Sequence, residues 1–266
     1  DVTVIENFQV DEYDITILSA EDSENLHEWL NDNGYSYSEA DIPTLQYYID
    51  KDWYFTAVKI STFSEETRDS TTSEELNPLQ IIFNTEKLIF PLKISSISTE
   101  NPQTEILLYV FAPYRVKSDN FTTLQMHEMD RDFSSKEEFR DYYDYTFTDL
   151  IDSANGKALI VEYAMPYDYV YGMDDLLAPD REYYLTRLRT EIAPEFMNDD
   201  IEFVEDESSG DFMIGARETP GNSNLIHYAS ILSVLCVVRI FGSKRKSLKF
   251  GLNILLILVI LMAFVF

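Results

Sequence analysis

The chain has 266 residues, 45% of them hydrophobic and 14% aromatic, with 48 acidic and 20 basic side chains and a formal charge of −28. That excludes a nucleic-acid binder, which needs a basic face, and it excludes docking of residues 1–224 on anionic lipid by charge. It also excludes global disorder, because disordered acidic chains are poor in aromatics.

The first predicted elements are strands. Val2-Thr3-Val4-Ile5 and Tyr13-Asp14-Ile15-Thr16-Ile17-Leu18 alternate as half-buried strands do. A helix follows over 24–33, with Leu26, Trp29 and Leu30 on one face and Asn33-Gly34 as its stop. Ser38-Glu39-Ala40-Asp41 ahead of Pro43 reads as the capped start of a helix over 44–51. Residues 53–60 and 105–111 read as strands, and the polar stretch 63–78 as a surface loop. Ser135-Lys136-Glu137-Glu138 is a capping box that opens a helix to Ser153, stopped by Asn155-Gly156. Residues 157–164 form a further strand. The mixture predicts an α+β domain over 1–219, with a mixed, largely antiparallel sheet and packed helices.

The composition then changes. Residues 220–224 read as a linker, with a turn at Pro220-Gly221. Residues 225–241 and 250–266 are two mostly apolar runs, each roughly 25 Å long as a helix and so at the short end of what spans a bilayer. Together they predict a C-terminal transmembrane hairpin. The intervening loop, 242–249, carries Lys244, Arg245, Lys246 and Lys249, with Arg239 just inside the first run. The positive-inside bias places this loop in the cytoplasm and residues 1–224 on the extracytoplasmic side of the cell membrane. Ser230, Ser233 and Gly251 supply small residues for packing against other membrane proteins. Cys236 is the only cysteine, so neither a disulfide framework nor a thiolate metal site exists. The start at Asp1, with no apolar stretch behind it, reads as a removed signal peptide or a fragment.

Motifs that carry chemistry are scarce. His27-Glu28 and His127-Glu128 begin as zinc-protease helices do, but Asn31 and Arg131 stand where the second histidine belongs. His227 lies near the start of the first apolar run and is read as a headgroup-level residue. Asp130-Arg131-Asp132-Phe133-Ser134 offers the first oxygen positions of a calcium loop, without the Gly or the closing Glu. Asp199-Asp200 and the acidic run 202–211 read as a solvated face with, at most, weak calcium binding. No Gly-rich phosphate loop and no G-x-S-x-G elbow is present. The sequence therefore assigns no catalytic residue, cofactor or metal, although 48 acids leave open a hydrolase built on paired carboxylates. Nine of the 18 tyrosines fall in 142–184. Tyr167, Tyr169 and Tyr171 would share one face of an extended segment, and Tyr142, Tyr143 and Tyr145 lie on the helix opened by Ser135. They read as amphipathic packing or as a stacking platform for a glycan or peptide. Asn120-Phe121-Thr122 is the only glycosylation sequon.

Several of these segments, in this order and spacing, resemble a bacterial family called domain of unknown function 2330. They are Tyr13–Ala20, Trp29–Tyr35 (with Asn33-Gly34), Trp53–Lys59, Phe90-Pro91-Leu92-Lys93-Ile94 and Leu107-Leu108-Tyr109-Val110. The strongest is Tyr184-Leu185-Thr186-Arg187-Leu188-Arg189-Thr190, followed by Pro194-Glu195-Phe196-Met197 and Asp200-Ile201-Glu202-Phe203. The resemblance spans roughly residues 1–205. It implies a secreted or membrane-anchored protein with no assigned activity, and members commonly carry a signal peptide and a Cys-containing segment ahead of this region. Within the motif, Arg187 is expected to fork onto buried oxygens, with Asp200 as one candidate partner. The expected function is a non-enzymatic binding or structural subunit of an envelope or membrane complex; the alternative is an envelope hydrolase using paired carboxylates.

Overall fold

The computed structural model describes residues 1–11, 13–60, 79, 81, 85–97, 102–126, 133–167, 177, 181–208, 210–214 and 253–255. In chain order the elements are β1 (Val2–Val10), β2 (Tyr13–Ala20), α1 (Ser23–Asp32), α2 (Ile42–Ile49), β3 (Trp53–Ile60), β4 (Leu88–Phe90), α3 (Leu92–Ser95) and β5 (Thr104–Ala112). There follow β6 (Val116–Ser118), β7 (Thr122–Gln125), α4 (Lys136–Ser153), β8 (Ala158–Pro166), β9 (Tyr184–Ile192), β10 (Ile201–Glu205), β11 (Phe212–Met213) and β12 (Asn253–Leu255). The fold is mixed α+β, with mostly antiparallel sheets and few helices. The chain divides into two compact units, Asp1–Glu86 with Pro91–Glu100 and Phe241–Phe266, and Lys87–Phe90 with Asn101–Ile240.

In the first unit β1, β2 and β3 form an antiparallel meander, with helices on one face. Asp22 caps α1 by accepting from the Asn25 N–H at 2.8 Å, and Leu26 and Leu30, one turn apart, face inward. Gly34, at φ 77°, takes the left-handed conformation that follows the helix end. Pro43 sits in the first turn of α2, which begins at Ile42 rather than Thr44. Leu18, Leu26, Leu30, Leu45, Tyr48 and Phe55 are fully buried together. The Tyr48 hydroxyl accepts from the Ile94 N–H at 3.0 Å, so the polar tip of that ring is satisfied inside the core. At the C-terminal end, Asn253–Leu255 pairs parallel with Trp53–Phe55.

The second unit holds two sheets. One runs β11-β8-β9-β5, with β7 parallel to the first half of β8; the other runs β4-β10-β6. A bulge between Val161 and Tyr163 puts Glu162 out of step with the β8–β9 ladder. Both ends of α4 follow their local sequence. The Ser135 hydroxyl accepts from the Glu138 N–H at 3.1 Å, and the Glu138 carboxylate accepts from the Ser134 N–H at 2.8 Å. The helix closes through Asn155 and Gly156, both at positive φ.

Among the described residues no helix is long and apolar enough to cross a membrane. The loop 63–78, the linker 220–224, the run 225–241 and the basic loop 242–249 lie outside the described residues, as does 250–266 except Asn253–Leu255.

Candidate functional site

The first unit carries an open cleft of about 470 Å³. Its floor is the sheet: Asn7 of β1, Asp14 and Thr16 of β2, and Lys59 of β3. Its wall is Trp29 of α1 and Tyr35, which follows the Asn33-Gly34 turn. The two rings stack with centroids 6.3 Å apart at 22°. The Lys59 ammonium lies 4.6 Å from the Tyr35 ring centre and donates to the Asn33 carbonyl. The Asn7 amide donates to the Thr16 hydroxyl at 3.0 Å. Burial, and then the Asp14 charge, push the Tyr35 phenol up from its ordinary pKa, so the ring remains neutral. Nearby, Tyr37 is raised too, by burial and by Asp41.

The open edge of β1 borders this cleft. Among the described residues β1 pairs only with β2. Among the described residues, Val4, Ile5, Phe8 and Val10 are four of the six exposed large hydrophobic side chains, at 36–51% exposure; the other two are Tyr145 and Met213. A bulge between Val4 and Glu6 locally breaks the register with β2. Natural edge strands are ordinarily blunted by lysine, proline or shortness. β1 is nine residues long and carries Glu6 as its one charge.

The second unit buries a few charged side chains in its interior. Glu162, fully buried at the β8 bulge, lies 2.9 Å from Arg187 Nε of β9. The N–H is not aimed along a hydrogen bond, so this contact is an ion pair without a formed hydrogen bond. Burial pushes the Glu162 carboxyl up, against the pull of Arg187 and then Arg189. Arg187 also lies over Tyr109, and Arg189 lies 4.3 Å from the Phe147 ring centre while reaching Glu105 at 2.7 Å and the Tyr143 hydroxyl at 2.9 Å. A second buried ion pair joins Arg115 and Asp206 at 3.1 Å, with both side chains about 5% exposed. Arg115 also donates to the Gly210 carbonyl and to Gln125 at 2.9 Å. Tyr184, hydrogen-bonded to Asp211 at 2.8 Å, is pushed up to about 12 by burial and by that carboxylate.

The family motif is largely interior. Leu185, Thr186, Leu188, Met197 and Asp200 are buried, Pro194 opens a short 3-10 turn, and the Thr186 hydroxyl accepts from the Val116 N–H at 3.2 Å. The carboxylate that Arg187 meets is Glu162, not Asp200; β8 and β9 are ladder neighbours, and the bulge turns Glu162 towards the guanidinium. Asp200 instead offers its backbone carbonyl to the Asn120 amide at 2.7 Å. The sequon asparagine is thus engaged, its side-chain oxygen accepting from the Glu202 N–H at 3.1 Å. Nor is the acidic run 202–211 uniformly a solvated face, since Asp206 is buried on Arg115 and Glu202 pairs with Lys87 at 2.7 Å.

His27 Nε2 lies 3.1 Å from the amide of Asn31, the residue standing where a second metal ligand would be. Among the described residues no group of three or more His, Cys, Asp or Glu could hold a metal ion. His127, the calcium-like residues 130–132, Tyr169, Tyr171, His227 and the topology signal (Arg239, Lys244, Arg245, Lys246 and Lys249) lie outside the described residues. Sequence reasoning missed Glu162, the Arg115–Asp206 pair and the cleft. Only Glu162 carried a signal, as a lone charge in the apolar run Leu159-Ile160-Val161.

Fold and site define an acidic α+β protein of two compact units, with internal ion pairs in one and an open cleft beside the β1 edge in the other. The chain belongs to the family described as "Uncharacterized protein conserved in bacteria (DUF2330)", whose model matches residues 1–204. No curated protein and no solved structure matches it.

Proposed function

We propose that this protein is a non-enzymatic subunit of an envelope membrane complex, held by the hairpin 225–266 with residues 1–224 outside the cell, and that it docks its partner along β1. The observation that carries the docking is the concentration of exposed apolar side chains on β1, whose outer edge has no strand partner among the described residues. Strand addition satisfies the free backbone groups of such an edge and lets alternate side chains select the partner. Charge selects it further. Residues 1–60 carry 14 acidic side chains against Lys51 and Lys59 alone, so a second copy meets repulsion and an extended basic segment of another polypeptide meets attraction. The hairpin supplies the membrane context, and its small residues supply further contact with other membrane helices.

The test is purification of the full chain from membranes in mild detergent, beside an Ile5→Glu, Phe8→Glu variant. Both positions are exposed, so the variant should melt as the wild type does. A stoichiometric partner held by the wild type and lost from the variant is expected. A partner retained equally by both, or a wild-type protein that elutes alone, overturns the reading.

A further inference from the structure

The cleft contains opposite charges that face each other in register and do not pair. Asp14 of β2 and Lys59 of β3 are direct cross-strand partners, the placement at which opposite charges ordinarily meet. Lys59 turns instead to the Asn33 carbonyl and the Tyr35 ring. Among the described residues, the Asp14 carboxylate is left without a hydrogen bond or ion pair. Beside it, the Thr16 hydroxyl still has its own hydrogen to donate, and the Asn7 amide oxygen is free to accept. The opposite wall is the half-buried Trp29, backed by Tyr35.

An aromatic wall facing an amide, a hydroxyl and an acceptor-only carboxylate suits a hydroxylated ring that bears a cation. The ring's C–H face lies on the indole, its hydroxyls meet Asn7 and Thr16, and its ammonium meets Asp14. We infer that this cleft binds a saccharide with a free amino group. At about 470 Å³ the cleft falls within the size range of small-ligand sites, about 300–1,000 Å³. The protein's negative field draws a cationic ligand towards it. An N-acetylated or neutral sugar removes water from Asp14 without supplying a charge, and so is discriminated against. The cleft shares Val4 and Asn7 with β1, but Asp14→Asn and the Ile5→Glu, Phe8→Glu pair change different residues, so either reading can fail alone.

The experiment is titration of the full chain in mild detergent at low salt with the disaccharide of glucosamine, its N,N′-diacetyl form and 1,4-diaminobutane. Trp29 fluorescence is followed in a Trp53→Phe background, which leaves it the sole indole. The amine disaccharide should bind saturably and at least about tenfold more tightly than the other two, and Asp14→Asn should remove that advantage with the melting temperature unchanged. Equal binding of the diacetyl form overturns the assignment of an amine. Equal binding of the diamine reduces the effect to bulk charge, which also overturns it. Saturable binding unaffected by Asp14→Asn moves the ligand to another place, and no saturation at millimolar disaccharide removes the site.

Discussion

At Glu162 burial and charge pull in opposite directions, and burial prevails. The carboxylate has left water entirely, its guanidinium partner is 23% exposed, and no hydrogen bond compensates the loss. A carboxyl raised in the folded state binds its proton more tightly there than in the unfolded chain. The stability it contributes is therefore complete below the unfolded carboxylate range, near 4.5, and is lost as pH rises through the folded value. Glutamine cannot titrate. Denaturant unfolding of the wild type and of Glu162→Gln should show the variant gaining relative stability between about pH 4 and about pH 8. A constant difference across that span would mean that Glu162 binds its proton equally in the folded and unfolded chain. Arg115 is a different case. It is 5% exposed and joins Asp206, Gln125 and a carbonyl, so Arg115→Ala leaves a buried charge uncompensated and should cost about 3–5 kcal/mol. Arg187→Ala should cost less, because its partner can take up a proton. Arg187→Lys should recover only part of that, since an ammonium is more strongly hydrated and lacks the planar face that lies over Tyr109. The order of the two alanine variants in a thermal melt checks this; a costlier Arg187→Ala would make Arg187, rather than Arg115, the stronger anchor in the second unit.

Elements differ in how much of them a local sequence encodes. α4 is written at both ends: Ser135 and Glu138 open it and Asn155-Gly156 close it. Gly156 has a second duty, because a Cβ there would lie 3.2 Å from the Phe196 ring as well as sitting at φ 74°. Gly156→Ala should therefore cost at least about 1–2 kcal/mol, against about 1 for Ser135→Ala. Equal melting temperatures for these two variants would show that Phe196 yields freely. β1 and β2 were read from alternation, although β1 is exposed along nearly its whole length; β3, β5 and β8 were read as strands from their apolar and aromatic content, and α1 from its inward Leu26 and Leu30. β4, β6, β7, β10 and β11 were not, because strands of two to five residues are too short to display a period. β9 showed itself only as the motif around Arg187, and the acid that completes it belongs to another strand and sits on a bulge. The cleft was illegible for the same reason. Asp14 and Lys59 become neighbours only through the β2–β3 register, and Tyr35 joins them after the turn at Gly34. The separation into two units is likewise made by contacts between distant segments, and no linker marks it.

For the whole molecule the charges sort along the chain. Residues 1–224 hold all 48 acids and 15 of the 20 bases, and everything basic beyond them clusters around 239–249. On the proposed topology, an anchored domain outside with a basic loop inside would account for both halves of that distribution. Asn253–Leu255 has two competing partners: the β3 edge, where it forms a three-residue parallel ladder, and the bilayer, where the surrounding run 250–266 would be helical. Three ladder residues satisfy few backbone groups, whereas a helix satisfies nearly all of its own and buries its apolar side chains in lipid. The bilayer should therefore win when it is present. Substituted-cysteine labelling of the full chain in intact cells, with Cys236 first replaced by serine, decides both matters. Ser223→Cys should react with a membrane-impermeant maleimide from outside, and Ser247→Cys only after the membrane is opened. Leu255→Cys should resist the reagent in both conditions and become reactive once detergent replaces lipid. Reaction of Leu255→Cys in intact cells would return that segment to β3. A reversed pattern at Ser223 and Ser247 would place the acidic domain in the cytoplasm and end the envelope reading.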